Sequence, residues 1–151
     1  MTKGLATAFA LLALSLSVGL TGCGGPNLSE NLVPVTGTVT MDGKPLAGAS
    51  VTFVAIGTTP GMGGVGTVDE SGKFEVSHFR AGKGLDPGEY KVVISKRVMS
   101  NGSPIPAGTL SIADLSTRDI VPPRYSDYNK TTLALAVSAG GQPLTFALTS
   151  R

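Results

Sequence analysis

From residue 35 onward, apolar and polar residues alternate with a period of two, the pattern of strands that bury one face. Residues 35–41 interleave Val, Gly and Met with Thr. Residues 49–55 put Val51, Phe53 and Ala55 on one face, and 65–68 form a shorter run. Residues 73–79 group Phe74, Val76 and His78, and the longest run, 89–98, groups Tyr90, Val92 and Ile94. The last two runs, 131–137 and 144–149, read as a closing hairpin with Leu133, Leu135 and Val137 facing Leu144, Phe146 and Leu148. Turn formers separate the runs: Asp42-Gly43, Asp69-Glu70-Ser71-Gly72, Asp86-Pro87-Gly88 and Gly140-Gly141. The pattern predicts an all-β fold, a seven-stranded antiparallel β-sandwich over residues 33–151. Its core is expected to hold Val39, Val51, Phe53, Phe74, Val76, Tyr90, Val92, Ile94, Leu135, Phe146 and Leu148. Residues 99–130 show no strand period and read as a long loop, with one helical turn at 111–115 capped by Ser111. No 12-residue amphipathic stretch follows residue 33, which argues against a parallel α/β sheet.

The first residues follow another pattern. Lys3 is the only charge before Glu30, and residues 5–20 are all apolar or small. The run is shorter than the roughly 20 apolar residues a membrane span needs, and its basic start fits a secretory signal peptide over residues 1–22. It ends in Leu20-Thr21-Gly22-Cys23, which resembles the bacterial lipobox. The resemblance implies a lipid on the sulfur of Cys23, cleavage before it, and acylation of the new amino group. Residues 23–32, rich in turn formers, read as a flexible tether. Two acyl chains give lasting attachment where one is marginal. The expected location is the cell envelope, lipid-anchored; Gly24, where an Asp would favour the inner membrane, leans toward the outer one.

Composition narrows the chemistry. One Cys excludes an internal disulfide framework and a multi-Cys zinc site, and one His excludes a two-His metal site. Lys and Arg number 12 against 10 Asp and Glu, which is no nucleic-acid footprint. The 21 Gly and 10 Pro favour short strands and turns.

Three segments resemble the carboxypeptidase regulatory-like, transthyretin-like domains. Residues 35–49 carry the Val35-Thr36-Gly37-Thr38-Val39 strand and the Asp42-Gly43-Lys44-Pro45-Leu46-Ala47-Gly48-Ala49 turn. Thr67-Val68-Asp69-Glu70-Ser71-Gly72-Lys73-Phe74 resembles the family's second hairpin with Val68 inserted. Leu85-Asp86-Pro87-Gly88-Glu89-Tyr90-Lys91-Val92 resembles its approach to a long strand. The later Val121-Pro122-Pro123-Arg124-Tyr125 and the closing strands are similar to small lipoproteins of planctomycete-type bacteria that carry this domain. The resemblance implies a transthyretin-like sandwich used as a binding or spacer module.

Candidate chemistry is sparse. Gly61-Met62-Gly63-Gly64-Val65-Gly66 spells G-x-G-x-x-G but leads to a strand, whereas a dinucleotide site needs a helix there. His78 has no nucleophile nearby in sequence and reads as a structural strand residue. Asp69, Glu70 and Asp86 read as solvated turn acids, with Asp114, Asp119 and Asp127 in the long loop; none lies in a calcium-loop run. A Lys–Asn isopeptide staple lacks its Asn or Asp in the last strand. Arg124, Tyr125, Tyr128 and Lys130 form the one aromatic-basic cluster outside the strands and are the candidate ligand or partner contacts, against loop anchoring. No catalytic residue, metal or cofactor is expected. The functional expectation is a lipid-anchored, non-catalytic envelope binding or interaction module, meeting the membrane through Cys23 and an envelope protein or glycan elsewhere. The alternative is a structural spacer or assembly subunit that pairs through a sheet edge.

Overall fold

The computed structural model describes residues 32–106, 116–141 and 143–151. The expected leader, Cys23, the tether up to residue 31, and the helical turn at 111–115 lie outside them. Alternation becomes structure where it was read. Strand β1 (Thr36–Met41) buries Gly37 and Val39. Asp42 and Gly43 both take positive φ, 51° and 78°, as a tight hairpin turn requires, and return the chain as β2 (Lys44–Pro45) against β1. The strands β3 (Ser50–Ala55), β4 (Gly63–Thr67), β5 (Lys73–His78) and β6 (Gly88–Ser95) follow as an antiparallel set. Strand β7 (Arg97–Met99) pairs with β8 (Thr117–Asp119), α1 is the single turn Pro123–Ser126, and β9 (Ala134–Val137) and β10 (Leu144–Leu148) complete the chain.

The main sheet runs β10-β1-β5-β4-β3-β6-β9, with β2 beside β1. All its pairs are antiparallel except β1 with β10, where Gly37 stands opposite Leu144 and Met41 opposite Leu148. The sheet curls on itself. Phe146 on β10 lies four places along from Phe53 on β3, and a flat sheet would hold them roughly 19 Å apart. Their ring centroids are 6.5 Å apart. The bend runs through β5, whose residues 73–75 pair with β1 while 76–78 pair with β4. Inside the curl, Phe53 meets Phe74 at 6.2 Å and Tyr90 at 6.3 Å, and Phe74 stacks on Phe146 at 6.1 Å. The expected core residues are all buried except Leu135, which is half-exposed because β9 is an edge strand. Val33, Val35, Leu46, Ala49, Val68, Leu85 and Val121 join them.

Three expectations are corrected. Residues 131–137 and 144–149 do not pair as a hairpin: β9 joins β6 and β10 joins β1, and no ladder links the two among the described residues. Each finds its partner elsewhere in the sheet, so the two strands close opposite edges of the curl. The 89–98 run breaks at Lys96, after which β7 leaves the main sheet for β8, so 99–130 is not uniformly loop. Asp86 is not a solvated turn acid but 5% exposed. The connection after Ala47 matches the turn expected there, closed by Leu46 accepting from Ala49 N–H.

Strand directions give the molecule two poles. Residue 32, the 56–62 loop, the 79–87 turns and the 138–141 turn share one, since Val33 pairs with Leu85 and Gly141 abuts Pro34. The 42–43 and 69–72 turns, the β7–β8 ladder and the C-terminus share the other.

Candidate functional site

The aromatic-basic cluster splits into two anchors. The Arg124 guanidinium donates to the Thr149 carbonyl at 2.6 Å, to Thr149 Oγ1 at 2.9 Å, and to the Arg151 carbonyl, while lying 4.9 Å from the Tyr125 ring. Tyr125 Oη meets Thr149 Oγ1 at 3.4 Å, and that hydroxyl, then Arg124, holds the phenol below its ordinary value. This half of the cluster ties the α1 turn to the end of β10. Tyr128 is held elsewhere: Lys91 Nζ donates to its carbonyl at 3.1 Å and sits 4.6 Å from its ring. Lys130 faces Asp127 at 3.8 Å. The four side chains therefore do not converge on one ligand-sized space. Tyr128, 44% exposed, is the member that keeps a free ring edge.

His78 and Asp86, distant in the sequence reading, meet inside the fold. Nε2 and Oδ2 are 3.5 Å apart, both side chains are nine-tenths buried, and neither atom has a hydrogen-bond partner among the described residues. His78 Nδ1 accepts from the N–H of Arg80 and of Ala81, each at 3.1 Å, which assigns the remaining proton to Nε2, facing Asp86. Nδ1 is thus committed to the backbone, and Nε2 is buried facing Asp86 without a hydrogen bond. The imidazole shapes the 79–82 turn and offers no free lone pair to a substrate or metal. No group of three or more metal-binding side chains exists among the described residues.

The glycine run beside this pair has a steric purpose. A Cβ on Gly61 would stand 2.9 Å from His78 Nε2 and 3.0 Å from Asp86 Oδ2. One on Gly63 would stand 1.9 Å from the Phe53 carbonyl oxygen, and one on Gly64 2.5 Å from that of Ser77. The G-x-G-x-x-G spelling records strands packed too close for side chains.

Two clefts remain. One of about 450 Å³ crosses β1, β5 and β10 above Phe74; its rim mixes Asp69 and Glu75 with Lys73, so its charges offset. The other, about 670 Å³, lies at the far pole between the 47–50 turn and the β7–β8 ladder. Lys96, Arg97 and Arg118 line it, with Ile105 and Ile120 as apolar wall and Ser50 and Ser95 as hydroxyls. The carboxylate next to Arg118 is otherwise engaged: Asp119 Oδ1 accepts from Lys96 N–H at 3.1 Å and Val121 N–H at 2.8 Å. None of the three cations forms an ion pair among the described residues. The cleft can hold an anion against a partly apolar surface. Sequence reasoning passed over it because Lys96-Arg97 and Arg118 are 21 positions apart and only the β7–β8 ladder makes them neighbours. Compared with known protein families, curated proteins and solved structures, the chain matches none.

Proposed function

We propose that the protein is a lipid-anchored, non-catalytic binding module of the cell envelope, a transthyretin-like sandwich carried on Cys23, and that the far-pole cleft takes an anionic ligand. The observation that carries the ligand reading is the set of three cations, Lys96, Arg97 and Arg118, around one cleft with no ion-pair partner among the described residues. Cations held together without counter-charges are costly unless an anion visits them. The burial of His78, with Nδ1 taken up by the backbone, supports a structural part for it in a binding module. The curled sheet and its buried aromatic cluster support the sandwich reading, and the lipobox-like residues 20–23 support the anchor. The probes are inorganic triphosphate and a short oligogalacturonate, titrated onto the full-length protein at low and high salt. Salt-sensitive binding is expected, and Lys96→Glu combined with Arg118→Glu should weaken it on the order of tenfold or more with an unchanged melting temperature. Equal binding by parent and double variant would remove the cleft from the reading.

A second reading, a spacer that pairs through a sheet edge, draws on β9 and β10, which each carry a ladder on one side only among the described residues. Its signature is a partner retained by the double variant and lost when a Pro is placed at Ala136.

A further inference from the structure

Among the described residues, the large apolar or aromatic side chains left exposed are Met62 at 56%, Phe79 at 48% and Tyr128. Tyr128 is covered on one face by Lys91. Met62 and Phe79 have no such contact among the described residues, and their backbones are neighbours at one end of the sheet, since Phe79 N–H donates to the Gly63 carbonyl at 3.1 Å. Their loops are built to display them. His78 Nδ1 gathers the N–H groups of Arg80 and Ala81, so the chain turns just after Phe79. On the other side, Thr59 Oγ1 donates to the Glu89 carbonyl at 3.0 Å and accepts from Glu89 N–H at 2.8 Å, which fixes the 56–62 loop. Arg80 is exposed beside Phe79 and forms no ion pair among the described residues, and Lys83, also exposed, pairs with Glu75.

These apolar residues with a basic flank sit at the pole where residue 32 leads into the sheet, because Val33 exchanges both backbone hydrogen bonds with Leu85, which follows the 79–82 turn. The ten residues 23–32 reach at most roughly 35 Å when fully extended, so a lipid on Cys23 would keep this pole close to the bilayer. We infer that the N-terminal pole seats on the anionic lipid surface, with Met62 and Phe79 in the interfacial layer and Arg80 against the phosphates. The inference rests on the lipid-anchor reading. An anchor alone would let the domain tumble on its tether. A second contact at the same pole fixes its orientation and turns the far-pole cleft away from the membrane.

The chain has no Trp, so one introduced Trp reports its own surroundings. The full-length protein is purified from membranes as Phe79→Trp and, at the far pole, as Lys44→Trp. Each is placed in phosphatidylglycerol–phosphatidylethanolamine vesicles whose acyl chains carry bromine. The Phe79→Trp emission should shift to the blue and lose most of its intensity, and the Lys44→Trp emission should do neither. Adding Met62→Ser and Arg80→Glu to Phe79→Trp should reverse the quenching. Emission from Phe79→Trp that stays unquenched while the protein floats with the vesicles, or equal quenching of both variants, would overturn the seated pole and leave the anchor standing. Failure to float, with an unmodified mass at Cys23, would overturn the anchor and the seating with it.

Discussion

Tyr90 shows how much one side chain can couple. Its ring lies fully buried against Phe53, and its hydroxyl donates to the Asp86 carbonyl at 2.8 Å. Burial, helped by the Asp86 carboxylate, pushes the phenol up to about 12. An unfolded tyrosine ionises near 10. The folded state therefore keeps this contribution in full below pH 10 and loses it as the pH rises from 10 to about 12. Tyr90→Phe keeps the ring but strands the Asp86 carbonyl, which should cost roughly 1–3 kcal/mol at pH 7. The same variant should flatten the fall of melting temperature between pH 10 and 12; a fall as steep as the parent's would assign the alkaline loss to other groups. That Tyr90 is core was legible from its place in the alternating run 89–98. That Asp86 is buried beside His78 was not, since an Asp-Pro-Gly turn looks the same in sequence whether its carboxylate faces water or protein.

At the scale of elements, β4 is a strand made by its neighbours. Gly63, Gly64 and Gly66 have low strand propensity, yet β3 and β5 flank them in register from both sides. Gly64 is not at positive φ, so its requirement is space alone: its Cβ would press on the Ser77 carbonyl and come 2.9 Å from Leu85. Gly64→Ala should therefore destabilise by about 1–3 kcal/mol, the usual cost of overpacking, read as a lowered denaturation midpoint. A neutral result would mean that β4 and β5 part easily. Elements with their own alternation, β1, β3 and β5, were legible within a residue, and β6 at its start. Pairing was less so. The period gives each strand a face but names no partner, and the short 138–143 connection made a hairpin the simplest guess for β9 and β10. The three-residue strands β7 and β8 are too short to show a period at all.

For the molecule as a whole, Phe53 sits at the centre of the curl, touching aromatic rings from β5, β6 and β10. Phe53→Ala should cost about 3–5 kcal/mol, a large share of the roughly 5–15 kcal/mol a domain holds. Loss of the three aromatic contacts at once should appear as one cooperative transition at lower temperature. A broad melt in which the β1–β10 side opens first would show that the curl is two weakly joined halves. Seven strands were anticipated, and seven form the path of one curled sheet; which edges end it required the structure.

The parallel ladder between β1 and β10 sets the order in which this protein can be made. Gly37 waits for Leu144, a partner 107 positions later in the chain. Closing so large a loop carries an entropic cost that no local contact offsets, and folds dominated by such distant pairings form in milliseconds to seconds rather than microseconds. Until β10 is released, the nascent chain cannot complete its sheet. A chain exported as proposed would need this delay, because a translocation channel passes threads and not finished domains. The strand that closes the sheet would thus also time its completion, leaving the chain threadable until β10 has emerged.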